Sequence, residues 1–353
     1  MDNIKIKTNY GHIEVGDDLP VNLIAEIGLN HNGSIELAKE HIKQAAFSGA
    51  CFVKLQKRTL SSLAIDDFLD APFTKCPSLG STQREVREKL ELNKAEYVEL
   101  KEFAESYGLT FFSSAFDIES LNFLLDIGVD LIKVASHSLT NGKLLKEIKQ
   151  QKLTTLMSLG GSTREEQDIA VSILSDSCQL LLFHCVSSYP TSDAACLIDS
   201  IPYLKKRYNL PIGFSGHENG TAISLAAAAL GASLIERHFT INKSMIGLDH
   251  GISLEPHEFA SLSSDLKRLH TSRGIKESLH EHELAARLPY HVAIRASKNL
   301  KKNKVLNESD IVLLQPLLDG EKFFTGLEID KLMGEKLKRD INKHEAISRK
   351  DIS

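Results

Sequence analysis

Eight short apolar runs, separated by segments of helical character, constrain this chain more than any other feature. They cover residues 22–27, 51–55, 110–114, 131–135, 154–158, 180–184, 211–214 and 233–238. Each is too short for a buried helix, and β-branched and aromatic residues recur in them, so they read as strands. Their near-continuous apolar character predicts parallel strands buried on both faces. The segments between them, such as 35–47 and 94–107, supply the helical crossovers that parallel strands require. Eight strand–helix units predict a closed (β/α)8 TIM barrel. An open doubly wound sheet is the competing architecture, but no G-x-G-x-x-G follows the first run.

The 353 residues exceed what one barrel needs. The sequence predicts a barrel domain over 1–275, opening with a hairpin (alternation at 4–7 and 12–15 about Tyr10-Gly11), then a charged, His-rich linker or short solvated helix over 276–290. A small domain follows over 291–353, carrying an internal repeat: LKKNKVLNESDI at 300–311 matches INKHEAISRKDI at 341–352 in its apolar positions and closing Asp-Ile. The stretch 60–90, with Pro72, Pro77 and Gly80, is expected to be a long loop covering the barrel mouth.

Hydrophobic content of 42% and charge of 25% are those of an ordinary soluble globular protein. The net charge of −5 gives no field for nucleic acid, so an anionic ligand must be held by a local cluster of cations. Five cysteines, an odd number without a C-x-x-C pair, read as reduced thiols of a cytoplasmic protein. The sequence contains no apolar signal region and no run long enough to span a membrane.

In such a barrel the polar residues at strand ends converge on one face. His217 and His238 each end a strand of one β–helix–β unit, with about twenty residues between them. Parallel neighbours place both imidazoles at the same strand end, within reach of one ion. Two histidines leave coordination positions open, which suits a Lewis-acid role and not a closed structural zinc site. Lys54 and Lys133 sit inside apolar strands, where an ammonium is costly unless paired; with nearby serines they describe a pocket for a small polyanion. His184 reads as a hydrogen-bonded core histidine. Gly160-Gly161 and Asn30-His-Asn-Gly33 offer backbone amides at turns, and Asp249 lies in a polar loop beyond the last strand.

These motifs resemble the sialic acid synthase family. The resemblance is carried by AEIG (25–28), NHNG (30–33), VKLQ (53–56), KVAS (133–136), YPT (189–191), GFSGH (213–217), ERHFT (236–240) and DHGISLEP (249–256). It extends through KKNKVL (301–306) to Asp310, which is similar to that family's antifreeze-like, or SAF, domain. It implies a TIM barrel joined to a β-clip SAF domain, in a domain-swapped homodimer whose SAF domain closes the partner's site. The implied reaction condenses phosphoenolpyruvate with an N-acylated mannosamine-type sugar, releasing phosphate and a nine-carbon 2-keto acid. By motif position, Lys54, Lys133, Ser136, Ser158, Ser187 and Ser215 would hold phosphoenolpyruvate, and His217 and His238 would bind Mn2+ or Mg2+. Glu26, Tyr189 and Asp249 would contact the sugar, with Glu26 a general base or a hydroxyl acceptor.

The chain departs from the commonest bacterial pattern at Ser138, where a Glu is frequent, at Ser187, where an Asn is, and at Ser114-Ala115-Phe116. Gln315 stands where an Arg reaches toward the partner's sugar. These changes leave both lysines and both histidines intact, so they bear on the sugar and not on the reaction. N-acetylmannosamine is the expected acceptor, with its 6-phosphate or a 2,4-diacetamido hexose, leading to legionaminate or pseudaminate, as alternatives. An aldose-phosphate 3-deoxy-keto-acid synthase would lack the SAF domain. A catalytically silent carbohydrate-binding SAF protein would have no use for a metal pair beside an anion pocket.

Overall fold

The computed structural model describes residues 3–8 and 10–353. The chain divides into two compact units, Met1–Arg273 and Gly274–Ser353. In the first, β1 (Ile4–Thr8) and β2 (Gly11–Val15) form an antiparallel hairpin. Eight parallel strands then close on themselves: β3 (Asn22–Gly28), β4 (Phe52–Lys57), β5 (Thr110–Ala115), β6 (Leu131–Val134), β7 (Thr154–Ser158), β8 (Leu180–Cys185), β9 (Ile212–Gly216) and β10 (Leu234–His238). Closure comes from β10 pairing with β3, and the result is a TIM barrel.

These strands form because both faces find apolar partners. Phe52 and Phe112, for example, meet edge to face at 6.2 Å across β4 and β5. The crossover helices start at side-chain caps: Ser34 accepts from the Leu37 amide, and Asn93 and Thr163 each form a reciprocal capping box with a Glu three residues on. The 60–90 stretch differs from the loop expected there. It contains three helices, Leu60–Leu63, Asp66–Leu69 and Gln83–Leu90, over a small core of Cys76, Leu79, Val86 and Leu90. That local core overrides the turn signals of its prolines and Gly80.

In the second unit, β11 (Ala293–Ala296) pairs antiparallel with β12 (Ile311–Leu314) over a core that includes Ile294, Leu306, Phe324, Leu337 and Ile347. The internal repeat has a structural meaning. Leu300 and Ile341, which begin its two copies, bridge one another. Near the end of each copy an aspartate folds back on the amide three residues earlier: Asp310 accepts from Asn307 at 3.1 Å and Asp351 from Ser348 at 2.8 Å. The 276–290 segment contains a helix, Glu281–Tyr290, with Leu284 and Leu288 partly exposed. Among the described residues no helix is long and apolar enough to cross a membrane.

Candidate active site

The strand ends of the barrel surround a cavity of about 480 Å³. Ten of the residues singled out in the sequence line it: Glu26, Lys54, Lys133, Ser136, Ser158, Tyr189, Ser215, His217, His238 and Asp249. Ser187 is not among the lining residues, but its Oγ and that of Ser136 converge over Gly160. A Cβ there would stand 2.8 and 2.9 Å from them, so only glycine leaves room. Gln315 belongs to the second unit, where its Nε2 donates to the Tyr290 carbonyl. His184 is held by the Cys196 carbonyl at 2.7 Å.

Strand register explains the convergence. His238, Glu26 and Lys54 are direct partners across β10, β3 and β4, and Glu236 pairs with Ser215 across β10 and β9. Along β10 the period of two turns Glu236 and His238 toward the cavity. Arg237 faces the other way, where it pairs with Glu218 at 2.8 Å and also donates to the Gly220 carbonyl.

The centre of the cavity is a cluster of four ionisable side chains, all almost fully buried. Lys54 Nζ lies 3.0 Å from Glu236 Oε1 and 3.5 Å from Glu26 Oε2. Lys133 Nζ lies 3.7 Å from the same Glu236 oxygen and donates to Ser158 Oγ; Ser215 Oγ donates to Glu236 at 3.0 Å. Burial pushes Glu26 up to about 7, against the pull of Lys54. Burial acts on Glu236 in the same sense, but Lys133 and Lys54 outweigh it and bring that carboxyl down to about 2. The two lysines shift in opposite directions for a geometric reason. Lys54 touches two carboxylates, which overcome burial and raise it, whereas Lys133 touches one at longer range and burial lowers it.

The imidazoles of His217 and His238 lie 5.5 Å apart, and Tyr189 packs against His217 at 4.1 Å between ring centroids. Burial brings both histidines down to about 3, so they are neutral at ordinary pH. His217 Nδ1 donates to the Val186 carbonyl at 2.9 Å, which leaves Nε2 as a lone-pair donor. His238 Nδ1 is buried without a hydrogen-bond partner, 3.9 Å from Asp249 Oδ2. Neutral rings with a free lone pair fit a divalent ion, and the remaining positions would fall to substrate oxygens. Among the described residues no group of three or more His, Cys, Asp or Glu is arranged as a metal site.

Sequence reasoning missed Glu236, Gln56, Arg58 and Arg87, all lining the cavity. Gln56 connects Glu26, to which Nε2 donates at 2.6 Å, with Arg58, whose Nη2 donates to its Oε1. The period of two along β4 and β10 was the available signal: Gln56 and Arg58 follow Lys54, and Glu236 precedes His238. Two ammoniums, several hydroxyls, a carboxyl near neutrality and two unprotonated imidazoles can together bind a small polyanion, polarise a carbonyl and move a proton.

A family model described as the NeuB family matches residues 41–278. The chain is 32% identical to an N,N'-diacetyllegionaminic acid synthase of Legionella pneumophila, over 93% of each protein. It is 33% identical to an N-acetylneuraminate-9-phosphate synthase of Drosophila melanogaster, over 93% of this chain and 94% of that one. Its structure resembles that of an N-acetylneuraminic acid synthetase from Leptospira borgpetersenii, solved with citrate. The TM-score is 0.69 at 32% identity, over 80% of this chain and 95% of the other.

Proposed function

The chain belongs to the NeuB family, and from that premise we propose that it condenses phosphoenolpyruvate with a sugar of the N-acetylmannosamine skeleton. The products are a nine-carbon 2-keto sugar acid and phosphate. The observation that carries this reading is the Lys54–Lys133 pair beside two neutral histidines in one cavity.

In this reading Lys54 and Lys133, with Ser136, Ser158, Ser187 and Ser215, hold the carboxylate and phosphate of phosphoenolpyruvate and fix its methylene carbon toward the acceptor. His217 and His238 would hold Mn2+ or Mg2+, which when bound supplies Lewis-acid polarisation of the acceptor carbonyl. A carbon–carbon bond forms between the methylene carbon of phosphoenolpyruvate and the aldehyde carbon, and the carbonyl oxygen takes up a proton to become a hydroxyl. Water adds at the carbon that bears the phosphate, made cationic by that attack; after loss of a proton the bond from this carbon to the phosphate oxygen breaks, leaving the 2-keto group and phosphate. Glu26, held near neutrality, gives or takes a proton during these steps, while Tyr189 and Asp249 position the sugar. The second unit is read as an SAF domain whose Gln315 serves the partner's site in a domain-swapped homodimer.

The test is phosphate release from phosphoenolpyruvate with Mn2+ and a panel of N-acetylmannosamine, its 6-phosphate and 2,4-diacetamido hexoses, with sedimentation reporting the dimer. Turnover with a member of the panel is expected. A folded dimer inert toward all of them would remove the condensation reading.

A further inference from the structure

The cavity carries a second set of cations that the condensation chemistry leaves unused. Lys54, Gln56 and Arg58 occupy alternate positions as the chain leaves β4, and all three line the cavity. At a rise of about 3.3 Å per residue, Lys54 and Arg58 stand roughly 13 Å apart along this path. Glu26 and Gln56 stand between their charged ends, Glu26 beside Lys54 and Gln56 accepting from Arg58, so the two cations belong to separate clusters. Arg58 is 9% exposed and its Cζ sits over the Phe116 ring, 3.9 Å from the centroid, a contact that holds the guanidinium in place. Its Nη1 has no hydrogen-bond partner.

Arg87 reaches the same end of the cavity from the helix Gln83–Leu90, and its Nε is also buried without a partner. Among the described residues Arg87 forms no ion pair with any carboxylate. The nearby acids do not neutralise this end. Glu91 is engaged by Lys57 at 2.6 Å and meets Arg58 only through the backbone amide. Asp249 remains to face Arg58 and the exposed Lys75. Two partly desolvated guanidiniums with idle donors are costly to maintain for a neutral sugar hydroxyl, and their fork geometry matches a phosphate.

We propose that Arg58 and Arg87 form a second anion subsite, which takes a phosphate monoester at the end of the acceptor sugar remote from its aldehyde. The enzyme's acceptor is then a hexose phosphate and not the free sugar. This assignment rests on the condensation reading above. The phosphate of phosphoenolpyruvate is the other source of the same chemistry, and the lysine cluster accounts for it at the opposite end.

The experiment compares N-acetylmannosamine 6-phosphate with free N-acetylmannosamine as acceptors for the wild-type enzyme, with Mn2+ and phosphoenolpyruvate. It then repeats both titrations with Arg87→Gln, a half-exposed helix position whose loss leaves the core intact. The wild type is expected to prefer the phosphorylated acceptor by about 100-fold in kcat/KM. Arg87→Gln is expected to raise the KM for that acceptor at least about tenfold while leaving the KM for phosphoenolpyruvate unchanged. Equal or better use of the free sugar, or a rise in the phosphoenolpyruvate KM in place of the acceptor KM, overturns the subsite alone. Phosphate release with neither acceptor, nor with a diacetamido hexose, takes away the condensation reading itself.

Discussion

Glu26 and Glu236 of the barrel cavity and Asp351 and Glu328 of the second unit keep opposite company, although all but the half-buried Glu328 are buried. Asp351 accepts from the Ser348 amide and hydroxyl at 2.8 and 2.7 Å, and from Arg339 Nε and Nη2 at 2.6 and 3.1 Å. Glu328 likewise receives the Thr325 amide, Lys331 and both contacts of Arg349. In the barrel, Glu26 and Glu236 each retain an oxygen without a hydrogen-bond partner, as do His238 Nδ1, Arg58 Nη1 and Arg87 Nε. A buried polar group that the protein satisfies contributes to the fold; one left short is a cost that a ligand removes. The contrast is between these residues and not between whole units, since Asp310 Oδ1 of the second unit is also without a hydrogen-bond partner, 3.0 Å from Lys298; Asp351 and Glu328 hold the chain together, whereas the cavity groups are left for what it binds.

The sharpest way to break this distinction is Lys133→Met. Phosphate release should fall by roughly 10³-fold, while the thermal midpoint stays level or rises because a desolvated ammonium has been removed. A large loss of stability would show that Lys133 belongs to the fold. His217→Ala should weaken Mn2+ binding by at least about tenfold in calorimetry of the folded protein, and unchanged binding would take the metal away from this pair. Asp351→Asn, in the satisfied region, should lower stability by about 1–3 kcal/mol, read from denaturant unfolding.

The smallest effect is in pH, where the two regions should differ in sign. Glu328 is held down to about 2 by Lys331, the Thr325 amide and Arg349, below its ordinary 4.5. Its contribution to stability is present above 4.5 and is lost as pH falls toward 2. Glu26 is raised to about 7, chiefly by burial. Its contribution is greatest below 4.5 and is lost as pH rises through 7. Glu328→Gln should flatten the stability profile between about 2 and 4.5, and Glu26→Gln between about 4.5 and 7. Profiles that change in the same window would dissolve the contrast.

The barrel was legible in the sequence because parallel strands buried on both faces leave a near-continuous apolar signature. The lysines and histidines stood out as charge or imidazole at the ends of such runs. Glu236 did not, because it lies inside its run and not at the end, and only the inward period of β10 places it beside the histidine two residues on. Arg87 was hidden differently. Its helix lies within a stretch whose prolines and Gly80 suggested a loop, although Thr82-Gln-Arg-Glu85 carries an N-terminal signature, and Thr82 does accept from the Glu85 amide at 3.2 Å. The unpartnered state of its guanidinium is a property of three-dimensional neighbours that no spacing encodes.

The alternate placement of Lys54, Gln56 and Arg58 along one strand has an evolutionary consequence. Under the proposed function the innermost rung serves the bond-making chemistry, whereas the outermost would meet only the tail of whatever is being extended. Change at the outer rung can retune the choice of building block without disturbing the inner one. A lineage built on such a graded strand can change its building block one rung at a time while its core reaction stays the same.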